Sequence, residues 1–284
     1  MTLLSHPAVV AFFALFVWWF STGVVLYLVG WPLRAPRLSL IGAGVLFAAS
    51  LYGLALSSAD TRVIGAYTAF ACALLVWGTQ EFAFLTGAIT GPSNKACAKD
   101  CSGWLRVALA VRSIVYHEIA LVLSGIAVIG ATWNSDNSIG AWTFLILWAM
   151  RLSAKINLFL GVPVLNQEFL PDRLNYLATF FTKGPVSPFF PFAVTAATTV
   201  TTIIVVRALS GDATAFGRTG YMLLASLLGL GVLEHWFMVV PLPISALWGW
   251  GMRSRSVRTC PSATVSLSVD IAARSVVSEI EGPR

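Results

Sequence analysis

The chain has 284 residues, of which 57% are hydrophobic and 11% are charged, and its mean hydropathy is +0.81. Because a soluble domain averages about 25% charged residues, this composition excludes soluble α/β enzymes, DNA-binding folds and secreted disulfide scaffolds. It indicates an integral membrane protein, in which the net charge of +6 reports topology rather than a nucleic-acid partner.

Seven apolar runs are each long enough to cross a bilayer. They predict an all-α membrane domain over residues 1–252, followed by a flexible tail over 253–284 that is rich in Ser, Val and Arg. The predicted spans are about 8–29, 38–57, 63–89, 107–131, 139–161, 189–206 and 221–242.

Lys and Arg concentrate in alternate loops, with twelve of the 18 on one side of the predicted spans and three on the other. Because cytoplasmic loops keep the positive charge, we expect the N-terminus outside and the C-terminus in the cytoplasm. The first apolar run lacks a basic n-region and is too long for a signal peptide, so we expect it to remain as a helix.

Two loops on the predicted cytoplasmic side carry patterns. After the fifth span, Leu170, Leu174, Leu177 and Phe181 fall on one helical face, and Pro171 suits a first helical position, which predicts an amphipathic interfacial helix. The loop after the third span contains the sequence CAKDC, with Cys97 and Cys101. Because the predicted orientation puts this loop in the reducing cytoplasm, we expect an ordinary polar loop rather than a metal site.

Ionisable residues inside the spans are the main candidates for function, because each is costly there unless it is paired or solvated. Four helices place them at similar depth, and the acidic and basic side chains balance in number. The candidate pigment-binding or ligand-binding residues are Glu81, Arg112, His117, Glu118, Arg151, Lys155, Glu234 and His235.

This charged layer has several interpretations. It could consist of buried ion pairs that fix helix packing, or it could line a polar cavity that opens toward the cytoplasm and binds a ligand. Either histidine could also ligate a chlorin or haem, since Ser113 and Gly231 lie one turn before them. We expect no metal centre, because neighbours on a helix such as His117 and Glu118 diverge by about 100°.

Two segments, LNQEFLPDRLNYLATFF at 165–181 and LEHWFMVVPLPISALWGWGM at 233–252, resemble the PuhE-type family of photosynthetic complex assembly proteins. Gln167 and Arg173 depart from that family, which more usually has an acidic residue and a His there. The matching positions that the resemblance marks for an interface are Asn166, Glu168, Phe169 and Pro171 in the first motif, and Trp236, beside Glu234 and His235, in the second.

The resemblance implies an assembly factor for the photosynthetic reaction centre or antenna, in contact with complex subunits or other assembly factors. It also implies that the chain is a multi-pass protein of a bacterial inner (cytoplasmic or intracytoplasmic) membrane. Its cargo would be bacteriochlorophyll, a precursor, or a pigment-binding helix. The alternatives are a membrane enzyme of bacteriochlorophyll metabolism, using Glu and His as acid-base groups or metal ligands, and a transporter, against which the odd number of spans argues.

Overall fold

The structure is a computed structural model that describes residues 3–30, 36–98 and 101–256. Arg34 and Lys99, which contribute to the predicted orientation, and the predicted tail from residue 257 onward lie outside the described residues.

Nine α-helices and no β-strands occur in the described ranges, and seven of the helices are long and apolar enough to cross a membrane. This confirms the predicted multi-pass helical architecture. The helices are α1 (Pro7–Gly30), α2 (Pro36–Ser57), α3 (Val63–Leu85), α4 (Gly103–Ala131), α5 (Ile139–Leu160), α6 (Asn175–Ala178), α7 (Phe189–Leu209), α8 (Ala215–Trp236) and α9 (Gly249–Ser256).

Two spans end earlier along the chain than the apolar runs indicated. Helix α3 ends at Leu85 rather than 89, because Gly87 adopts a φ of +76°, a left-handed conformation that commonly terminates helices. Helix α8 covers Ala215–Trp236 instead of 221–242. It begins where the Thr214 side chain caps Gly217 N–H, and Pro241 and Pro243 follow its end.

Helices α3 and α8 are the most enclosed spans, whereas α2 and α7 flank the bundle on the outside. Helix α3 packs against α2, α5 and α8, and α8 also packs against α1, α5 and α7. Apolar side chains such as Phe70, Leu121, Phe144 and Leu223 are fully buried between these helices. This core lies between the charged layer and the loops at 58–62, 132–138 and 210–214.

The other end of the bundle carries the segments 86–98, 161–188 and 237–256. We call it the motif end, because both sequence motifs lie there. The prediction that this end faces the cytoplasm stays a prediction.

The prediction of one continuous amphipathic helix at the motif end is wrong. The structure has two short 3-10 turns, Gln167–Phe169 and Asp172–Leu174, followed by the four-residue α6. Leu174 and Leu177 are nevertheless buried, as the apolar pattern required. The helix is interrupted because Pro171 is extended, with ψ of 150°, and caps the second turn.

Arg106 and Arg173 tie this segment to the bundle. Arg173 donates to the carbonyl oxygens of Thr86 and Val29, at the ends of α3 and α1. Arg106 donates to the carbonyl oxygens of Phe159 and Phe180. Both guanidinium groups therefore satisfy backbone acceptors that helix ends and turns leave open.

Helix α9 returns along α1, and the ring of Trp250 lies against Gly23 so closely that a Cβ at residue 23 would have no room. Two indoles complete the contact, since Trp19 donates to the Leu247 carbonyl and Trp248 to the Trp19 carbonyl. The second motif is thus fixed onto the first span.

Cys97 and Cys101 form a disulfide, with their Cα atoms 5.9 Å apart. This separation is within the reach of such a bond. The predicted orientation places this loop in a reducing compartment, and the disulfide was not predicted from the sequence.

Candidate functional site

A cavity of about 690 Å³ lies inside the bundle between α1, α3, α4, α5 and α8. The segments 165–181 and 237–248 contribute its wall at the motif end. Most of the lining is apolar, with Leu74 and Trp77 on one side of the charged layer and Leu170 and Phe180 on the other. The charged side chains therefore form a band across an otherwise apolar cavity.

Five of the eight predicted ionisable residues line this cavity: Glu81, Glu118, Arg151, Lys155 and Glu234. Arg151 Nη2 lies 3.3 Å from Glu81 Oε2, which joins α5 to α3. One turn further along α5, Lys155 Nζ lies 2.5 Å from Glu118 Oε1 on α4. The ion pairs and the cavity, which the sequence left as alternatives, are thus one arrangement.

These ion pairs remain accessible from the cavity. Arg151 projects from its span toward Glu81 and Glu234, and its side chain is nevertheless 44% accessible. The side chains of Lys155 and Glu118 are each about one quarter accessible. A guanidinium has five N–H donors, and one of those on Arg151 is used by Glu81. The layer can therefore offer both donors and acceptors to a ligand.

Glu234 is held by a residue that the sequence argument missed. Trp18 Nε1 donates a 2.8 Å hydrogen bond to Glu234 Oε1, joining α1 to α8. A tryptophan in the middle of a span is a signal for such a contact, because a buried indole N–H usually finds an acceptor.

His117 lies beside the layer but is fully buried and does not line the cavity. Its ring stacks on Phe84 at a centroid distance of 4.3 Å, and its Nε2 lies 4.0 Å from Glu81 Oε1. Neither ring nitrogen has a hydrogen-bond partner among the described residues. Its backbone N–H donates to the Thr90 carbonyl, so the loop after α3 packs against α4 here.

His235 faces α5 instead of the cavity. Its Nδ1 lies 2.8 Å from the Gly231 carbonyl, and its Nε2 lies 2.8 Å from Ser153 Oγ. A carbonyl can only accept, so Nδ1 carries the proton and Nε2 accepts from the Ser153 hydroxyl. Both nitrogens are therefore occupied in the described bundle.

Arg112 is exposed on the outside of α4 and is the eighth candidate. It lies six residues before Glu118, which places it about 120° away around the helix. Because Glu118 faces the cavity, Arg112 faces away from it and does not line it. The charged side chains that line the cavity are therefore three carboxylates and two basic groups.

The two sequence motifs meet at the motif end and line the cavity there. Asn166 Nδ2 donates to the Phe237 carbonyl at 3.0 Å, and Val164 N donates to the Met238 carbonyl at 3.0 Å. The ring of Phe169 packs edge-on against Trp248.

The other matching residues lie around this contact. Pro171 is buried and Glu168 is exposed on the first turn. Trp236 is 45% exposed and packs edge-on against Phe190.

The residues that the structure describes contain no group of three or more His, Cys, Asp or Glu arranged to hold a metal ion. Two carboxylates of the charged layer, Glu81 and Glu118, pair with basic side chains, and the third, Glu234, accepts from the Trp18 indole.

Residues 4–259 match the family described as "Protein of unknown function (DUF3623)". A relative from Rhodobacter capsulatus, described as an uncharacterized 30.4 kDa protein in the puhA 5′ region, is 39% identical over 260 residues, which cover 88% of this chain and 93% of the relative. No solved structure matches the chain. The chain therefore belongs to the DUF3623 family.

Proposed function

We propose that this member of the DUF3623 family is a membrane-embedded assembly factor for the photosynthetic reaction centre or antenna, and that it binds bacteriochlorophyll or a precursor in the cavity. The observation that carries the proposal is the cavity of about 690 Å³ that combines apolar walls with a charged band. The biological context comes from the Rhodobacter capsulatus relative, whose gene lies in the puhA region, a photosynthesis gene cluster.

The size and lining of the cavity fit an amphiphile. Pockets that bind drug-sized ligands and cofactors measure about 300–1,000 Å³ and combine apolar surfaces with a few polar groups. Here apolar side chains lie on both sides of the band formed by Glu81, Glu118, Arg151, Lys155 and Glu234. A macrocycle with a hydrocarbon body and polar substituents would bury its body against these walls and direct its polar groups to the band.

The wall at the motif end suits the transient binding that assembly requires. It consists of short turns and loops, and the two motifs are joined there by few hydrogen bonds, including those from Asn166 and Val164. Segments of this kind open at lower free-energy cost than packed helices. Opening would let the cargo pass to a pigment-binding helix of a complex subunit.

The direct test is the absorption spectrum of the protein gently solubilised from a pigment-producing host. We expect a stoichiometric chlorin band in the wild type. Gly78 lines the cavity and has open space beyond its Cβ position, so the ring of Gly78→Phe should obstruct part of the cavity and weaken the band. Gly44 on α2 has similar open space outside the cavity, and Gly44→Phe is the matched control.

A featureless spectrum from folded wild-type protein would contradict pigment binding. A band of equal intensity in folded Gly78→Phe protein would place the pigment elsewhere.

A second experiment separates assembly from enzymology. In a phototrophic host that carries Gly78→Phe in place of the wild type, we expect normal levels of pigment precursors but less mature reaction centre or antenna. Accumulation of one pigment precursor with intact complexes would instead favour the membrane enzyme.

A further inference from the structure

The cavity contains one carboxylate without a matching base. Glu81 pairs with Arg151, and Glu118 pairs with Lys155. The third carboxylate, Glu234, lies near Arg151 but forms no ion pair within 4.0 Å in the described part of the chain. A ligand that carried a further acidic group would add to the excess of one negative charge in the lining, whereas a Lewis-acidic centre would accept a lone pair from the unpaired carboxylate.

The Glu234 carboxylate is also the group best placed to meet a ligand. Its Oε1 accepts from Trp18, whereas its Oε2 accepts no hydrogen bond from the described residues and is not enclosed by protein. The side chain is half-buried and lines the cavity. One of its two oxygens is therefore fixed in position while the other is open.

The two histidines are placed less favourably. Both ring nitrogens of His235 are engaged, by Gly231 and Ser153. Those of His117 are unpartnered, but the residue is fully buried against Phe84 and does not line the cavity. Axial ligation by either histidine would require that a side chain leave its present contacts.

We propose that the Glu234 carboxylate is the axial ligand of the cargo's central Mg²⁺, so that the cavity selects magnesium tetrapyrroles over metal-free ones. This inference rests on the proposed function and specifies its ligand class. Mg²⁺ is a hard cation that prefers oxygen ligands. A single coordinate bond from Oε2 to Mg²⁺ forms without any redox step, because the oxygen donates a lone pair to the metal and no other bond breaks. Since the macrocycle already balances the charge of Mg²⁺, the metal acts as a Lewis-acid partner for the unpaired carboxylate, and intramembrane acids require such a partner.

Trp18 is the positioning residue for this bond. Its indole N–H holds Oε1, which fixes the direction in which Oε2 points. Outer hydrogen-bond partners of metal ligands commonly change metal affinity by about 10–100-fold.

The test compares binding of bacteriochlorophyll and of its metal-free form, bacteriopheophytin, to purified protein in detergent micelles by fluorescence quenching. We expect the wild type to prefer the magnesium form, and Glu234→Gln to lose about tenfold or more of that preference while still binding the metal-free form. Asp212→Asn, the same change of charge outside the cavity, is the matched control and should behave as wild type.

The outcomes separate the two proposals. If both pigments bind the wild type equally, axial ligation is wrong and the pigment-binding function stands. If the preference survives in Glu234→Gln but is lost in His117→Ala or Glu118→Gln, another residue is the ligand and the inference is overturned. If neither pigment binds folded wild type, the proposed function itself fails.

Discussion

The indole N–H of Trp18 in α1 donates a hydrogen bond of 2.8 Å to Glu234 Oε1 in α8. This bond joins the first membrane-spanning helix to the last across the edge of the cavity. It therefore couples the stability of the bundle to the position of the carboxylate that faces the ligand space.

Trp18→Phe should destabilise the protein. The substitution keeps an aromatic ring but leaves Glu234 Oε1 without its donor, and an unsatisfied buried acceptor costs about 1–3 kcal/mol of unfolding free energy. Because Glu234 is half-buried and lines the cavity, we expect the lower end of that range. Thermal unfolding in detergent measures the loss. Trp133→Phe changes an indole that is 71% exposed at the opposite end and should leave the transition unchanged. Equal transitions in the two variants would contradict a stabilising role for the bond.

Arg151→Met should destabilise the bundle by leaving Glu81 without its cation. Removing one partner of a buried pair costs about 3–5 kcal/mol, and because the cavity reaches the Arg151 side chain we expect the lower end of that range or less. The double variant Arg151→Met with Glu81→Gln should recover part of the loss, since no isolated charge remains.

The matched control for this pair is Arg112→Met, which removes an arginine from the outer surface of α4. We expect its unfolding free energy to stay near that of the wild type. If Arg112→Met were as harmful as Arg151→Met, the cost would reflect loss of a positive charge in general and not loss of the Glu81 pair.

Asn166→Ala should weaken the contact between the two motifs. The residue has a φ of +47° and donates to the Phe237 carbonyl, so Ala loses a hydrogen bond and strains the backbone. We expect a loss of about 1–3 kcal/mol, the strain contributing about 1–2 kcal/mol. Asn166→Gly relieves the strain but not the lost bond, and should therefore be the milder change. Limited proteolysis within 161–188 is the measurement, and equal cleavage of wild type and both variants would refute the prediction.

Asn137→Ala should destabilise the end of the bundle opposite the motifs. Asn137 is fully buried, and its Nδ2 donates to the carbonyl oxygens of Ser57, Asp60 and Gly65. The loss of donors to these acceptors should cost about 1–3 kcal/mol. Asn94→Ala, in an exposed loop, is the control for thermal unfolding. Pigment binding by the folded fraction should be unchanged, because Asn137 is far from the cavity lining.

The Asp60 carboxylate should titrate at lower pH than an isolated aspartate. The pKa of Asp60 is lowered by its hydrogen bonds to the Arg62 side chain and backbone N–H. Since the folded pKa lies below the unfolded value of about 3.9, the associated stabilisation is present above that pH and is lost as the pH falls through the folded pKa. NMR titration should show a higher midpoint in Arg62→Gln, and an unchanged midpoint would contradict the assignment.

Much of the architecture could be predicted from the sequence, because its signals are local. A bilayer requires about 20 apolar residues with every backbone group hydrogen-bonded within the segment, so the runs of apolar residues alone specified seven helices. The cost of charge in such a helix singled out Glu81, Arg151, Lys155 and Glu234 in the same way.

The interfacial helix shows where local pattern fails. The positions of Leu174 and Leu177 correctly predicted burial, but a continuous helix did not form around Pro171. Tertiary hydrogen bonds from Arg173 to the ends of α1 and α3 hold the chain in turns instead. A periodicity argument does not include such contacts, because their acceptors lie far away in the sequence.

The sequence by itself determined the number of long apolar helices, their approximate positions, and which of their residues carry charge. The tertiary structure alone decided the partners and directions of those residues: Glu81 meets Arg151, Glu118 meets Lys155, and Trp18 meets Glu234. Hydropathy depends on composition along one helix, whereas a partner depends on the rotation of each helix about its axis, and that rotation is set by packing among all of them.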